Sequence, residues 1–333
     1  MGAKEKLKLL RCWLGCAFGS ACALLAYECA MHELAGRTAT ATGIEQRWYT
    51  EGIAHSHFAL DGTRLTGAPP LPDALSVLIV GDSHVEANQV QDIATMGAEL
   101  ERQLRRSSER WNVLQYGWSG ADVPDYIFEA DVLMQRFRPD RVVVVLTSGD
   151  FAAVQSARVA LREVNGRAVV EPVVRDASPG RPASYARPLP WIFRHSGLLY
   201  ASLVRFTLDI RPRLAARRAG TVASATAVGA QRIPTLVKGL KEAYADRVLL
   251  LYVPKQPSRA LEMPEVEERE LLSWCASESI DCASLRSRMI EASTTERQLS
   301  RGFNNTAPGQ GHLNEIGHRI AADAIVAWIH KSQ

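Results

Sequence analysis

Val77-Leu78-Ile79-Val80 runs without a break into Gly81-Asp82-Ser83-His84. A short apolar run rich in β-branched residues has the composition of a buried strand. The spacing after it predicts an amphipathic helix, with Val90, Ile93, Met96, Leu100 and Leu104 on one face. Ser83 therefore falls between the carboxyl end of a strand and the start of a helix. Ligands of open α/β sheets collect at that edge, where backbone amides favour developing negative charge. Ser83 is the leading candidate for a nucleophile. The alternative is a serine that only caps the helix.

Further strands are expected at Trp111–Tyr116, Arg141–Leu146, Arg247–Val253 and Ile280–Ala283. The continuous apolar run of Val142–Leu146 suits a strand buried on both faces. Helical patterns fall between the strands, at about 125–137, 231–245, 264–277 and 314–330. Strands alternating with helices imply a three-layer α/β/α domain around a parallel sheet, of the flavodoxin-like kind. Its expected extent is 75–331.

Residues 155–230 interrupt that rhythm and read as an insertion. Asn165-Gly166 predicts a hairpin turn, a Pro- and Arg-rich loop covers 172–190, and an apolar helix is expected over about 192–208. The insertion either shapes a cleft or is a packing elaboration. Residues 32–74 are weakly patterned and read as a connecting arm ending in Gly67-Ala68-Pro69-Pro70-Leu71-Pro72.

At the N-terminus Lys4, Lys6, Lys8 and Arg11 precede an apolar run from Cys12 to Tyr27. Residues 1–31 read as an uncleaved signal anchor, with a signal-peptide core as the alternative. The basic flank would stay in the cytoplasm and the rest be exported, which in a bacterium means the periplasm. A buried helix of a soluble protein fits less well, because no polar face interrupts residues 12–27. Four of the six cysteines lie in or beside the run (Cys12, Cys16, Cys22, Cys29). Cys275 and Cys282 lie outside it and are expected to form a disulfide or to stand as two buried thiols. The net charge is +3, with both signs interleaved, and no basic stripe points to nucleic acid. His55 and His57 form a His-x-His pair, which supplies only two ligands for a metal; no metal or other cofactor is expected.

A second element lies near the C-terminus: Gly309-Gln310-Gly311-His312-Leu313-Asn314-Glu315-Ile316-Gly317-His318. It delivers His312 on a loop just before the last helix, with Asn314 as its N-cap. A serine hydroxyl needs a base within hydrogen-bond reach, and both loops belong to the same sheet edge.

These residues resemble the SGNH (GDSL-type) hydrolase superfamily. Gly81-Asp82-Ser83 matches its first block, Tyr116-Gly117-Trp118-Ser119-Gly120 the glycine of its second, and His312 to His318 its last. The resemblance spans roughly residues 75–330 and implies Ser83 as nucleophile and His312 as base. It also implies the amides of Ser83 and Gly120 as oxyanion donors. Two positions depart from the family pattern. Gly149, in Leu146-Thr147-Ser148-Gly149-Asp150-Phe151, stands where an oxyanion asparagine is usual, leaving Ser148 as a substitute donor. Gly309 stands where the family carries the acid that orients the histidine, leaving a dyad held by a backbone carbonyl.

Among the neighbours, Asp82 is expected to be structural, and His84 to be a partly exposed loop residue. His318 is expected to pack or cap. Asp150 is expected to tie the loops together. Trp118 is expected either to stack on a sugar or to be buried. The implied function is an exported, membrane-anchored serine esterase with no cofactor. Its partners would be an ester-bearing small molecule or glycan, such as an O-acylated envelope carbohydrate, and the membrane. The alternatives are an O-acyltransferase on the same fold and a non-catalytic glycan- or protein-binding module. A nucleotide binder lacks a Gly-rich phosphate loop.

Overall fold

The computed structural model describes residues 3–107, 109–151, 159–164, 167–172, 196, 199, 202, 233–257 and 263–331. Five parallel strands build the central sheet: β4 (Leu75–Gly81), β5 (Trp111–Gly117), β6 (Arg141–Leu146), β9 (Val248–Tyr252) and β10 (Asp281–Ser284). Their order is β10-β9-β6-β4-β5. The chain places β5 on one side of β4 and β6 on the other. The direction of winding therefore reverses at β4, and Ser83 sits at the sheet's topological switch point.

Alternation along the strands sorts side chains between two helical layers. Val77, Ile79, Val143 and Val145 point to one face. There they meet α3 (Met96–Arg106), α7 (Arg286–Thr294) and α8 (Glu315–Lys331) through Leu100, Met289 and Ile325. Leu78, Val80, Val142 and Val144 point to the other face. There they meet α4 (Val123–Phe137), α5 (Ile233–Tyr244) and α6 (Val266–Glu278) through Leu133, Leu236 and Leu271. Residues 142–146 are fully buried. Each such side chain contributes roughly 1.5–3 kcal/mol, which sets β6 in the interior of the sheet. The chain is thus a three-layer α/β/α protein. A disulfide joins Cys275 of α6 to Cys282 of β10.

Three features depart from what the residues led us to expect. The helix expected to carry Val90 to Leu104 is broken. α2 (Ser83–Glu86) ends after four residues, because Ala87 adopts a left-handed conformation (φ 54°). A 3-10 turn follows at Asp92–Ala94, and α3 starts only at Met96, where Thr95 caps it. Ile93 is 68% exposed, so its spacing was coincidental. Residues 286–294 form a helix, α7, that no expectation covered.

The third correction matters most. The stretch read as a connecting arm folds into an antiparallel meander: β1 (Gly36–Ala39), β2 (Gly43–Trp48) and β3 (Ala54–Ala59). Arg64 bridges Phe58 of β3 and Gln115 of β5, with its amide donating to the Gln115 carbonyl at 2.7 Å. Its guanidinium, 3% exposed, donates to the carbonyls of Glu86, Ala87 and Val90 and to Asp92. One buried cation thereby fastens the meander to the loop that follows Ser83.

Within the insertion, β7 (Val159–Val164) and β8 (Arg167–Pro172) pair antiparallel, while the Asn165-Gly166 turn expected between them lies outside the described residues. The Pro- and Arg-rich loop and nearly all of the helix expected at 192–208 lie outside the described residues. At the N-terminus, α1 (Ala3–Leu34) contains a 21-residue stretch, Arg11–Met31, long and apolar enough to cross a membrane.

Candidate active site

Ser83 and His312 converge. Ser83 Oγ lies 2.8 Å from His312 Nε2. The helix cap belongs to Asp82, whose carboxylate accepts from the His84 amide at 2.8 Å. The Ser83 hydroxyl is thus left for the imidazole.

The far side of that imidazole meets Glu51, in the turn between β2 and β3. His312 Nδ1 lies 2.5 Å from Glu51 Oε2, and the His312 amide donates to Oε1 at 2.6 Å. Burial raises the affinity of Glu51 for a proton, but the hydrogen bonds and charge of His312, aided by Arg301, outweigh it and hold the carboxyl below its ordinary range. An ionised carboxylate only accepts, so Nδ1 carries the proton and Nε2 is free to accept from Ser83. Position 309 offers no acid, and the carboxylate on the far side of the ring comes instead from the meander, 261 positions away in the chain. A side chain at Gly309 would meet Gln256 at 3.2 Å instead.

Two glycines permit this approach. Gly311 has φ 83°, and a Cβ there would sit 1.9 Å from Glu51 Oε1. Gly52 has φ 72°, and its Cβ would meet the Gln89 carbonyl oxygen at 2.5 Å. A larger residue at Gly311 would push into the acid itself, and one at Gly52 would push the turn that carries the acid against Gln89 and Phe303.

Arg301 and His84 line the base of the site. Arg301, 8% exposed, donates to the carbonyls of Gly311 at 2.6 Å and Pro254 at 3.0 Å, fixing the turn that carries His312. His84 is 7% exposed, contrary to the expected loop position. Its ring stands 5.0 Å from that of His312. Burial, then the charges of Arg301, His312 and His318, push its pKa well down, so it stays neutral beside the His312 ring. His318 is buried, and its Nδ1 accepts from the Met96 amide at 3.2 Å.

The Gly120 loop is tied to the Ser83 turn through Glu86. That buried carboxylate accepts from the Ser119 amide at 2.9 Å and from the Ser119 hydroxyl. Gly120 has φ 81°, and a Cβ there would meet nothing within 4 Å, so this backbone borders open space. Trp118 is 2% exposed, packed edge-on against Tyr116 and Tyr126, and is out of reach of any sugar.

Ser148, Gly149 and Asp150 share a 3-10 turn, Ser148–Phe151. Asp150 folds back inside, accepting from the Thr147 amide and hydroxyl, both at 2.6 Å, and from Tyr126 at 2.7 Å. Burial, then the Asp82 charge, raise its pKa to about 8 against those hydrogen bonds. At Gly149 an added Cβ would touch only Thr147 Oγ1, at 3.5 Å. Room for a carboxamide exists there, yet none is present. Asn314 stays out of the cluster and caps α8, accepting from the amides of Ile316 and Gly317. His57 pairs with Asp92 at 2.6 Å. Among the described residues no group of three or more His, Cys, Asp or Glu is arranged to hold a metal.

No protein-family model matches the chain, and no curated protein matches it in sequence. Solved structures resemble it at low identity. One is a two-domain esterase active on acetylated mannans, with 11% identity and a TM-score of 0.43; the match covers 78% of this chain and 49% of that one, about half its length. Another is a catalytic mutant of an acetylxylan esterase from Geobacillus stearothermophilus, with 12% identity, a TM-score of 0.43, and 78% and 96% of the two chains covered. A member of the lipolytic G-D-S-L family from Veillonella parvula has 11% identity and a TM-score of 0.39, over 76% and 97%. Likeness at that level decides nothing about chemistry, which rests on the distances above.

Proposed function

We propose that the chain is a serine esterase of the SGNH type that works through an acyl-enzyme on Ser83. One observation carries the reading: the unbroken relay from Ser83 Oγ to His312 at 2.8 Å and from His312 to Glu51 at 2.5 Å. Ser83 Oγ attacks the ester carbonyl carbon, and its proton passes to His312 Nε2. Glu51 stabilises the imidazolium without taking the proton. The amides of Ser83 and Gly120 receive the oxyanion, a donor pair whose members are typically worth about 2.7–4 kcal/mol each. Collapse breaks the C–O bond, and His312 returns the proton to the departing alkoxide. Water, activated by the same histidine, then releases the acid; a sugar hydroxyl in its place would complete an acyl transfer.

Glu51 removes one of the two grounds for a non-catalytic module, the empty acid position at 309. The basic residues ahead of Arg11–Met31 support an anchored protein whose catalytic domain is exported. The test is hydrolysis of p-nitrophenyl acetate by the full chain in detergent. Turnover that disappears in both Ser83→Ala and His312→Ala supports the reading. Wild-type turnover retained in Ser83→Ala removes it.

A further inference from the structure

The His312 loop is tied to the Ser83 turn twice. The first tie is the 2.8 Å contact of Ser83 Oγ with His312 Nε2. The second lies one residue further along in both segments. The Leu313 amide nitrogen is 3.4 Å from His84 Nδ1, and Arg301 Nη1 is 3.3 Å from His84 Nε2. The same Arg301 nitrogen donates to the Gly311 carbonyl at 2.6 Å. His84 thus meets the loop on both sides of the base, at 313 directly and at 311 through the guanidinium.

The surroundings of His84 suit it to that place. Its backbone is fixed by Asp82, whose carboxylate accepts from the His84 amide. Its ring is buried, and so is Leu313. Both ring nitrogens face N–H donors, so a protonated ring, with an N–H at each nitrogen, would suit neither. A neutral ring has one lone pair, which serves Leu313 in one tautomer and Arg301 in the other. Burial, then the Arg301 charge, hold the ring in that neutral form. A residue without an acceptor here would leave a buried donor unpaired, a cost that native structures rarely carry.

The two ties do not last equally through turnover. On the ester reading, acylation turns Ser83 Oγ into an ester oxygen without the proton it offered to His312. Among the described residues, the side-chain contacts that still lead from residues 82–86 to the His312 loop are then those of His84. The step to come depends on where the base stands. A water oxygen attacks the acyl carbon while its proton passes to His312 Nε2; collapse breaks the bond from that carbon to Ser83 Oγ and returns the proton to Oγ. We propose that His84 is a positioning residue for deacylation, keeping the His312 loop in register with Ser83 while the serine carries the acyl group. The proposal rests on the ester reading and adds a division of labour between its two halves.

The experiment is stopped-flow release of p-nitrophenolate from p-nitrophenyl acetate by the full chain in detergent. It separates acylation from deacylation, and intact mass reports the fraction of protein held as acetyl-enzyme. His84→Leu has no acceptor. It should slow deacylation by about 10²-fold, the effect of a base displaced by about 1 Å, and slow acylation by less than about tenfold, so that acetyl-enzyme accumulates. His84→Asn keeps an acceptor near the Nδ1 position, and His84→Gln keeps one near Nε2. At least one of the two should hold the wild-type ratio of deacylation to acylation, a comparison that does not require His84→Leu to fold. Recovery in His84→Asn assigns the tie to Leu313, and recovery in His84→Gln assigns it to Arg301. A merely structural histidine would slow both steps together. That result in His84→Leu, or a ratio far below wild type in both amide variants, overturns the proposal. A folded wild-type protein that releases no p-nitrophenolate overturns the ester reading instead.

Discussion

Glu51 and His312 stand 261 positions apart and meet at 2.5 Å, with the same carboxylate also accepting from the His312 backbone at 2.6 Å. Two contacts to one residue fix both the ring and the loop that carries it. Glu51→Gln puts an amide N–H2 where the acceptor was and favours the wrong tautomer of the imidazole. Steady-state kinetics on p-nitrophenyl acetate should show kcat lower by roughly 10³–10⁴ with KM little changed. Adding Gly309→Asp to that variant should restore nothing, since position 309 faces Gln256.

Gly311→Ala places a methyl group 1.9 Å from Glu51 Oε1 and forces a non-glycine residue to φ 83°. The backbone alone costs about 1–3 kcal/mol. Thermal unfolding should show that loss, and activity should fall to the level of the Glu51 variants. A Gly311→Ala protein with full activity would show that the acid approaches by another route.

Glu86 acts through Ser119 on the loop that carries Gly120. Glu86→Ala should lower kcat by roughly 10²–10³, the cost of a misplaced oxyanion donor, with KM less affected. Glu86→Gln keeps an acceptor oxygen and should recover most of the activity. Equal loss in both variants would mark a merely structural residue.

Much of this layout was legible in the residues. β-branched runs located the central strands, and the Gly-Asp-Ser and His-Leu-Asn elements marked both loops that converge. Glu51 was not legible. A carboxylate in a turn has no local pattern, and its partner lies at the other end of the chain. The meander that carries it hid its own period: β3 alternates cleanly, but two of its buried positions are Ala54 and Ser56, which a hydropathy reading does not count as core. The broken helix misled in the opposite way. Val90 and Ile93 kept a helical spacing through a segment whose path is set by Ala87 in the left-handed region and by the Arg64 clamp.

Asp150 links pH to stability. Its pKa rises from an ordinary 3.8 to about 8 on folding, so the folded state binds a proton that the unfolded chain has released. Stability from this group is fully present below about pH 4 and is lost as pH climbs through about 8. Asp150→Asn removes that dependence while keeping an acceptor for Thr147. Melting curves at pH 5 and pH 8.5 should lie closer together for the variant than for the wild type. An unchanged gap would place the titration elsewhere.

The central claim is that His312 and Glu51 make Ser83 a nucleophile. Its most direct measurement is the mass of the intact protein after exposure to a fluorophosphonate, with the modified peptide sequenced. A single adduct on Ser83 is expected, formed rapidly in the wild type, far more slowly in Glu51→Gln, and not at all in His312→Ala. A folded wild-type protein that takes no label, or takes it on another residue, contradicts the account.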